Sequence, residues 1–506
     1  MEKKIFLHVA CLHRRRDKEQ VIEILDCTLD ISSHIEIDIL IEKSLLTIEK
    51  RRFCSNIVDI VEMHDLIQEM AWKIVREESP EPGKRSILCH HEDIFHVLMN
   101  NTGTGAIEAM VLRLPKLEAV PWNCTEAFNE MHGLRLLDFD GVMFSPCPKF
   151  LPNSLRIIHW NLYPSKSLPS SFEPRLLSKL KMSYSKLVRL WDGAKDFPNL
   201  KYMDLSKSDK LTNIPDFTRI PNLEELELEG CEKLGEVHSS IAVHKKLKVL
   251  RLDECKSIKS LPSELEMDSL ELFSLEGCSK LKKIPEFGEH MQNLKYIFLR
   301  ETAIEQIPSS IEDLVGLLYL RVDDCKSLLG LPSTICKLKS LIELIMPRCP
   351  KVDKLPGEME SLEDLDLSGS AMRGPLVAMK NLKYLTLRGS VASRDGIWCG
   401  PDPWRLVLSS LNRLGSLTTL ALSYCNIGEG VIPDDIGCLS SLKELYLAGN
   451  NFVSLPSSIR FLSELLFLGL ERCKRLDQLP DLPPKRSSLF VRVDDCTSLR
   501  RLSDPS

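Results

Sequence analysis

Leu223-Glu224-Glu225-Leu226-Glu227-Leu228-Glu229-Gly230-Cys231-Glu232-Lys233-Leu234 is followed by Leu247-Lys248-Val249-Leu250-Arg251-Leu252-Asp253-Glu254-Cys255-Lys256-Ser257-Ile258. Both stretches carry one frame, L-x-x-L-x-L, with a cysteine eight residues after the first leucine, and they lie 24 residues apart. The frame recurs from Leu200, Leu270, Leu294, Leu317, Leu341, Leu362, Leu382, Leu417, Leu442 and Leu465, and a weaker copy ends at Val491, Val493 and Cys496. Spacings of 23 or 24 residues dominate, inside the roughly 20–29 of a leucine-rich repeat. One such unit cannot bury its own leucines, so the units must stack. The predicted fold class is α/β, a leucine-rich-repeat solenoid of horseshoe form.

Alternation places the leucines on the inner side of a short strand and leaves the x positions exposed. The position eight after the first leucine holds Cys231, Cys255, Cys278, Cys325, Cys349, Cys425, Cys473 and Cys496, or Asn450 in one unit. A small thiol or amide there is expected to be buried and bonded to backbone at the turn. This accounts for eight of the 17 cysteines, and no Cys-x-x-Cys pair occurs. A disulfide framework and a zinc site thereby lose most of their material. The Leu-Pro pairs at 261, 331, 455 and 479 predict an extended outer segment. Spacing shrinks to 21 and 20 around Leu362 and Leu382, then opens to 35 before Leu417. The extra stretch, about 389–416, carries Trp398, Cys399 and Trp404 and reads either as a contact element or as a loop packed on the solenoid.

Lys plus Arg number 66 against 72 Asp plus Glu, a net charge of −6, which gives no general attraction to nucleic acid or an anionic membrane. No apolar run approaches the roughly 18–20 residues of a membrane span. The run Ile5 to Leu12 is interrupted by His8 and ends at Arg14-Arg15-Arg16, so a secretory signal is rejected and the sequons at Asn100 and Asn123 are expected to stay unmodified.

Residues 1–78 stand outside the repeat. Helices are predicted at Lys18–Cys27 and Ile35–Glu42, and strands at Leu45–Ile48 and Ile57–Val61 around a polar loop, Lys50–Asn56. A further helix has Leu66, Ile67, Met70, Ala71, Ile74 and Val75 on one face, with Asp65 and Gln68 as a capping box. Helices followed by strand–loop–strand predict a winged helix. The expected order is thus a winged-helix domain (1–78), a linker and cap (79–133), and repeats (134–502) with an insertion at about 389–416.

Winged helices often hold DNA. Support for that would come from Arg14–Arg16, Lys50, Arg51 and Arg52. The predicted helices carry Glu19, Glu23, Asp26, Glu36, Asp38 and Glu42, which repel phosphate, so nucleic acid is set aside and Arg14–Arg16 reads as a solvated loop. Cys89-His90-His91-Glu92 with His96 lacks zinc-type spacing. No catalytic constellation assembles, so the expectation is a binding protein with no catalytic and no metal residues. The expected partner-binding residues are exposed strand positions of the concave face: Glu225, Glu227, Glu229, Arg251, Tyr296, Phe298, Arg300, Tyr319 and Arg321. Aromatic and arginine side chains dominate protein–protein hot spots.

Lys4-Ile5-Phe6-Leu7-His8-Val9-Ala10-Cys11 and Val61-Glu62-Met63-His64-Asp65-Leu66-Ile67-Gln68-Glu69-Met70 are similar to two motifs of plant TIR-type nucleotide-binding leucine-rich-repeat (NB-ARC) receptors. Pro80–Ser86 resembles the linker that follows, and Asn101–Thr104 the approach to the repeats. His8 stands where the family has aspartate, and Leu12 and His13 where it has aromatics. The resemblance implies the sensor and autoinhibitory part of a cytoplasmic or nuclear immune receptor, recognising a pathogen effector or a guarded host protein. It implies cofactor contact by His64, near the β-phosphate of ADP, with Asp65 supporting the backbone. That contact needs the intramolecular nucleotide-binding domain as partner. No G-x-x-x-x-G-K-[ST] phosphate loop occurs in these 506 residues, so no cofactor is expected here, and the ADP/ATP module and NAD-cleaving TIR domain are expected to belong to a longer receptor. Two other readings are an extracellular leucine-rich-repeat inhibitor or receptor ectodomain, and a winged-helix DNA-binding regulator.

Overall fold

The computed structural model describes residues 2–53, 56–121, 125–372, 379–389, 403–484 and 489–500. The chain divides into two compact units, Met1–Leu247 and Lys248–Ser506.

The first unit opens with the winged helix. Its helices are α1 (Glu2–His8), running on as a π turn through Val9–His13, α2 (Lys18–Leu29) and α3 (His34–Glu42). The wing is β1 (Thr47–Phe53) antiparallel to β2 (Asn56–Glu62), and α4 (Asp65–Glu78) closes the domain. The signal-like apolar run is the domain's central helix: Ile5, Phe6, Leu7, Val9 and Ala10 are all buried. The wing strands extend into the stretch expected as a polar loop, because paired backbone satisfies the Lys50–Arg52 peptide groups while their side chains face outward.

Two expectations for α4 are corrected. Its N-cap is His64, whose Nδ1 accepts the Leu66 amide at 3.2 Å. Asp65 and Gln68 do not form the capping box, because both are drawn to Arg14, with Nη1 2.6 Å from each. Of the apolar face only Ala71 and Val75 are buried, while Leu66 and Met70 stay 67% and 46% exposed.

A parallel ladder then begins at β3 (Ile87–Leu88), inside the stretch expected as linker and cap. After α5 (His91–Asn100) it continues through β4 (Ala109–Pro121), β5 (Leu136–Ser145), β6 (Ile157–Trp160), β7 (Lys179–Lys181), β8 (Tyr202–Asp204) and β9 (Glu225–Glu227).

The second unit repeats one parallel strand per turn: β10 (Val249–Arg251), β11 (Leu272–Ser274), β12 (Tyr296–Phe298), β13 (Tyr319–Arg321), β14 (Glu343–Ile345), β15 (Asp364–Asp366) and β16 (Tyr384–Thr386). After the insertion come β17 (Thr419–Ala421), β18 (Glu444–Tyr446), β19 (Phe467–Gly469) and β20 (Phe490–Arg492). Trp398 and Cys399 lie outside the described residues. Pro403–Leu408 is helical, with Val407 and Leu408 buried.

The turn cysteines act as the spacing implies. Seven of the eight thiols are seen donating to a carbonyl of the preceding repeat: Cys231 to Leu205, Cys278 to Leu252, Cys325 to Leu299, Cys349 to Val322, Cys425 to Leu387, Cys473 to Leu447 and Cys496 to Leu470, at 2.8–3.3 Å. Asn450 takes the same place, donating Nδ2 to Leu422 O at 2.8 Å while its Oδ1 accepts the Cys425 and Ile427 amides. Burial pushes the Cys231 and Cys278 thiols up to about 12. Since the thiolate is the nucleophile, native-state alkylation of Cys231, Cys255 and Cys278 should lag far behind that of exposed Cys438. Mass spectrometry of iodoacetamide-treated folded protein checks this. Equal labelling rates would refute the burial of these turns.

Candidate functional site

Two places on the molecule gather functional side chains. The first is a seam within the first unit, where the winged helix meets the leading strands. Its apolar part is continuous: Ile5, Val9, Val21 and Leu25 share one buried cluster with Ala109, Val111, Leu136 and Ile157. Around it runs a set of ion pairs. Asp138 on β5, 3% exposed, receives Arg16 Nη2 at 3.0 Å and the Arg113 guanidinium, with His159 Nδ1 2.9 Å away. Burial alone would raise its carboxyl, but His159 and Arg113 outweigh that and hold it below the usual carboxylate range. Arg156 grips Asp30 with both terminal nitrogens and also donates to Cys27 O at 2.9 Å. Arg135 donates to Thr28 O at 3.0 Å. These two guanidiniums cap the C-terminus of α2, where free carbonyls and the helix dipole favour cations. Lys179–Glu23 and Lys4–Glu108 complete the ring.

Arg14–Arg16 is therefore not a solvated loop. Arg14 pairs with Glu62 and Asp65, Arg15 with Glu62, and Arg16 with Asp138; the Arg14 and Arg16 side chains are only 18% and 22% exposed. Carboxylates 47 to 122 residues away, invisible to local sequence, hold them. With Arg51 paired to Glu49 and Glu62, four of the six basic groups proposed for DNA are engaged by acids of the domain, while Lys50 and Arg52 stay exposed on the wing.

The residues that depart from the family motif lie in this seam. His8 and His13 are buried, and both ring nitrogens of His13 lack a hydrogen-bond partner among the described residues. Burial lowers His8 to about 4, against the pull of Glu108 and with the push of Lys4 and Arg135. It lowers His13 to about 3, with His8 and Arg113 adding to the effect and Asp138 opposing.

His64 is exposed beside the seam's outer acids. Its Nδ1 is engaged as an acceptor, so in the neutral ring the proton sits on Nε2, which is left as a donor suited to an anion. Asp65 is committed to Arg14, which lowers its carboxyl. His90, from the Cys-His-His-Glu run, stands edge-on to Trp72 at 5.0 Å, and among the described residues no three metal-ligating side chains converge.

The second place is the exposed strand face. Glu225 and Glu227 flank buried Leu226 on β9 in the first unit, and Glu229 pairs with Lys207 at 2.6 Å. In the second unit, Arg251 lies 3.7 Å from Asp253. Tyr296 and Tyr319 stack at 5.1 Å and 10°, with the Phe298 ring 6.3 Å from Tyr296. Phe298 stands in register with Arg321, which reaches Asp323 at 3.6 Å, and Arg300 pairs with Glu301. Tyr296, Phe298, Tyr319 and Arg321 thus form one patch. Sequence reasoning missed its neighbour, a trough of about 590 Å³ lined by Arg348, Asp366, Ser368, Thr386, Arg388 and Tyr446, among others. The signal was there: the two shortened units place Ser368 and Thr386 where other units carry Glu229 or Arg300 and Arg251 or Phe298.

Residues 1–79 match the winged-helix domain described as disease resistance protein Roq1-like. Residues 255–395 match a leucine-rich repeat region, and 416–439 and 441–462 match single leucine-rich repeats. TMV resistance protein N of Nicotiana glutinosa is 37% identical over 502 residues, covering 98% of this chain and 42% of that protein. Disease resistance-like protein DSC1 of Arabidopsis thaliana is 34% identical over 536 residues, covering 100% and 42%. Disease resistance protein RPP2B of the same plant is 33% identical, covering 100% and 41%. The chain spans less than half the length of these curated relatives. A Roq1-like winged helix in front of leucine-rich repeats, matched end to end by these relatives, places the chain in the family of plant disease resistance proteins.

Proposed function

We propose that this chain is the sensing and restraining part of an intracellular plant immune receptor, acting by binding and not by catalysis. Its strand face takes a pathogen protein or a guarded host protein. Its winged helix holds a nucleotide-binding module in the ADP state through His64, in the cytoplasm or nucleus. The observation that carries this reading is the seam: the winged helix and leading strands share one buried core ringed by ion pairs, while His64, Leu66 and Met70 remain exposed. A load on the leading strands is thereby passed to the surface that a nucleotide-binding module would cover. The winged helix and the turn thiols, committed to backbone carbonyls inside the repeats, speak against an extracellular ectodomain, and the paired Arg14–Arg16 against a DNA regulator.

The test joins the chain behind a nucleotide-binding and TIR segment of the family and expresses it in leaf tissue. His64→Ala should cause cell death without pathogen ligand. Losing one charge-assisted contact, about 1.5–3 kcal/mol, shifts a resting equilibrium roughly ten- to a hundredfold. The 506 residues alone should bind no ADP in calorimetry. Silence of a well-expressed His64→Ala receptor whose unmutated parent responds would defeat the switch reading.

A further inference from the structure

The strand face of the second unit holds an uncompensated charge. Glu343 on β14 stands in direct register with Asp364 on β15, and Asp366 is two residues further along the same side of the sheet. Like charges directly opposite on neighbouring strands repel. Other acids on this face are matched across strands, among them Glu271 with Lys295 at 2.9 Å, Glu363 with Lys383 at 2.7 Å and Glu471 with Arg492 at 3.1 Å, and Glu444 accepts from the Tyr446 hydroxyl at 3.0 Å. Glu343 and Asp364 have no ion-pair partner among the described residues, and the nearby Arg348 guanidinium is taken by Asp324 at 2.7 Å. Burial, then repulsion from Glu343 and Asp366, holds the Asp364 carboxyl up at about 6.

The register continues with an aromatic on either side. Tyr319 pairs with Glu343, and Asp364 with Tyr384, giving ring–acid–acid–ring across four adjacent strands. At about 4.8 Å per strand the acids sit within reach of a single planar cation, with a tyrosine one strand further on either side. The trough floored by Ser368 and Thr386 adjoins Asp366 and leaves room for the chain that carries such a group. A guanidinium is the side chain that meets carboxylates in a two-pronged fashion and stacks on aromatic rings.

We infer that Tyr319, Glu343, Asp364 and Tyr384 form a seat for an arginine-bearing segment of a protein partner, with Asp366 and the adjoining trough receiving the segment's backbone. This rests on the reading of the strand face as the recognition surface, and it names the chemistry of what docks there.

The test measures binding of acetylated hexa-arginine amide to the full chain by calorimetry at physiological salt, beside hexa-lysine and hexa-glutamate peptides. Hexa-arginine should bind most tightly, hexa-lysine several-fold more weakly, and hexa-glutamate not at all. Glu343→Gln with Asp364→Asn should weaken hexa-arginine at least tenfold, whereas Asp434→Asn with Asp435→Asn, the same change in net charge off this face, should alter it less than twofold. The first pair should melt no lower than the parent, since it removes a repulsion. Absence of hexa-arginine binding, undiminished binding by the first pair, or equal losses in both pairs overturns the seat. Hydrogen exchange with the peptide bound separates the two readings. Protection of 343–366 is the expected result; protection of 296–321 alone overturns the seat and keeps the strand face, and protection confined to residues off the strands overturns both.

Discussion

Asp138→Ala should destabilise the first unit by about 3–5 kcal/mol, the usual cost of removing one partner of a buried ion pair. The carboxylate is 3% exposed and has Arg16, Arg113 and His159 around it, so its loss leaves two guanidiniums and an imidazole facing one another without their shared counter-charge. Hydrogen exchange reads this locally: amides of α1 and α2 should exchange about a hundredfold faster or more, while those of β10–β20 should change little. Glu305→Ala, which breaks the exposed pair with Lys282 at 3.8 Å, should stay within about 0.5 kcal/mol. If the two variants behave alike, the seam does not hold the winged helix.

Acid should loosen the same seam before it touches the carboxylates. His8 and His13 have folded-state values of about 4 and about 3, both below the value of about 6.5 in an unfolded chain. A depressed folded value means that the unfolded state binds the proton more readily, so stability is full above pH 6.5 and falls as pH drops toward 4. Near pH 4.5 each imidazole should account for on the order of 2 kcal/mol of that loss. Asp138 and Asp30, held low by their cationic partners, lose their share only at more acid pH. His8→Leu with His13→Phe should flatten the dependence of the denaturant midpoint on pH between 6.5 and 4.5. A double variant with the parent's slope would show that these two imidazoles do not govern it.

How much of this was legible in sequence differs by scale. The repeats were, because a period of 23 or 24 residues is written in leucine and cysteine at positions that one physical constraint fixes: the strand centre and the turn. The winged helix was too, down to α2, α3 and the wing. Its first helix was not, because Ile5–Leu12 is apolar on every side but for His8, and a helix buried nearly all round carries no periodicity to mark it as one. Asp65 looked like a cap by local spacing, but a guanidinium fifty residues away outbid that role and left it to His64. The seam was illegible for the same reason. Nothing near Arg16 in sequence announces Asp138, and such pairs exist only after folding has joined distant segments. The strand-face residues followed from alternation, yet which of them touch, and that Glu343 and Asp364 oppose each other unmatched, came from strand register across a shortened unit.

The thiol-to-carbonyl ladder has a consequence for how such a protein changes over generations. Each turn anchors to a peptide carbonyl of the unit before it, an atom that every residue type supplies. Adjoining units therefore recognise one another without reference to side-chain identity at that contact. A block of one period can be duplicated, lost or exchanged by unequal recombination and still seat itself against a stranger. The outward strand residues are then free to vary as fast as the molecules they meet.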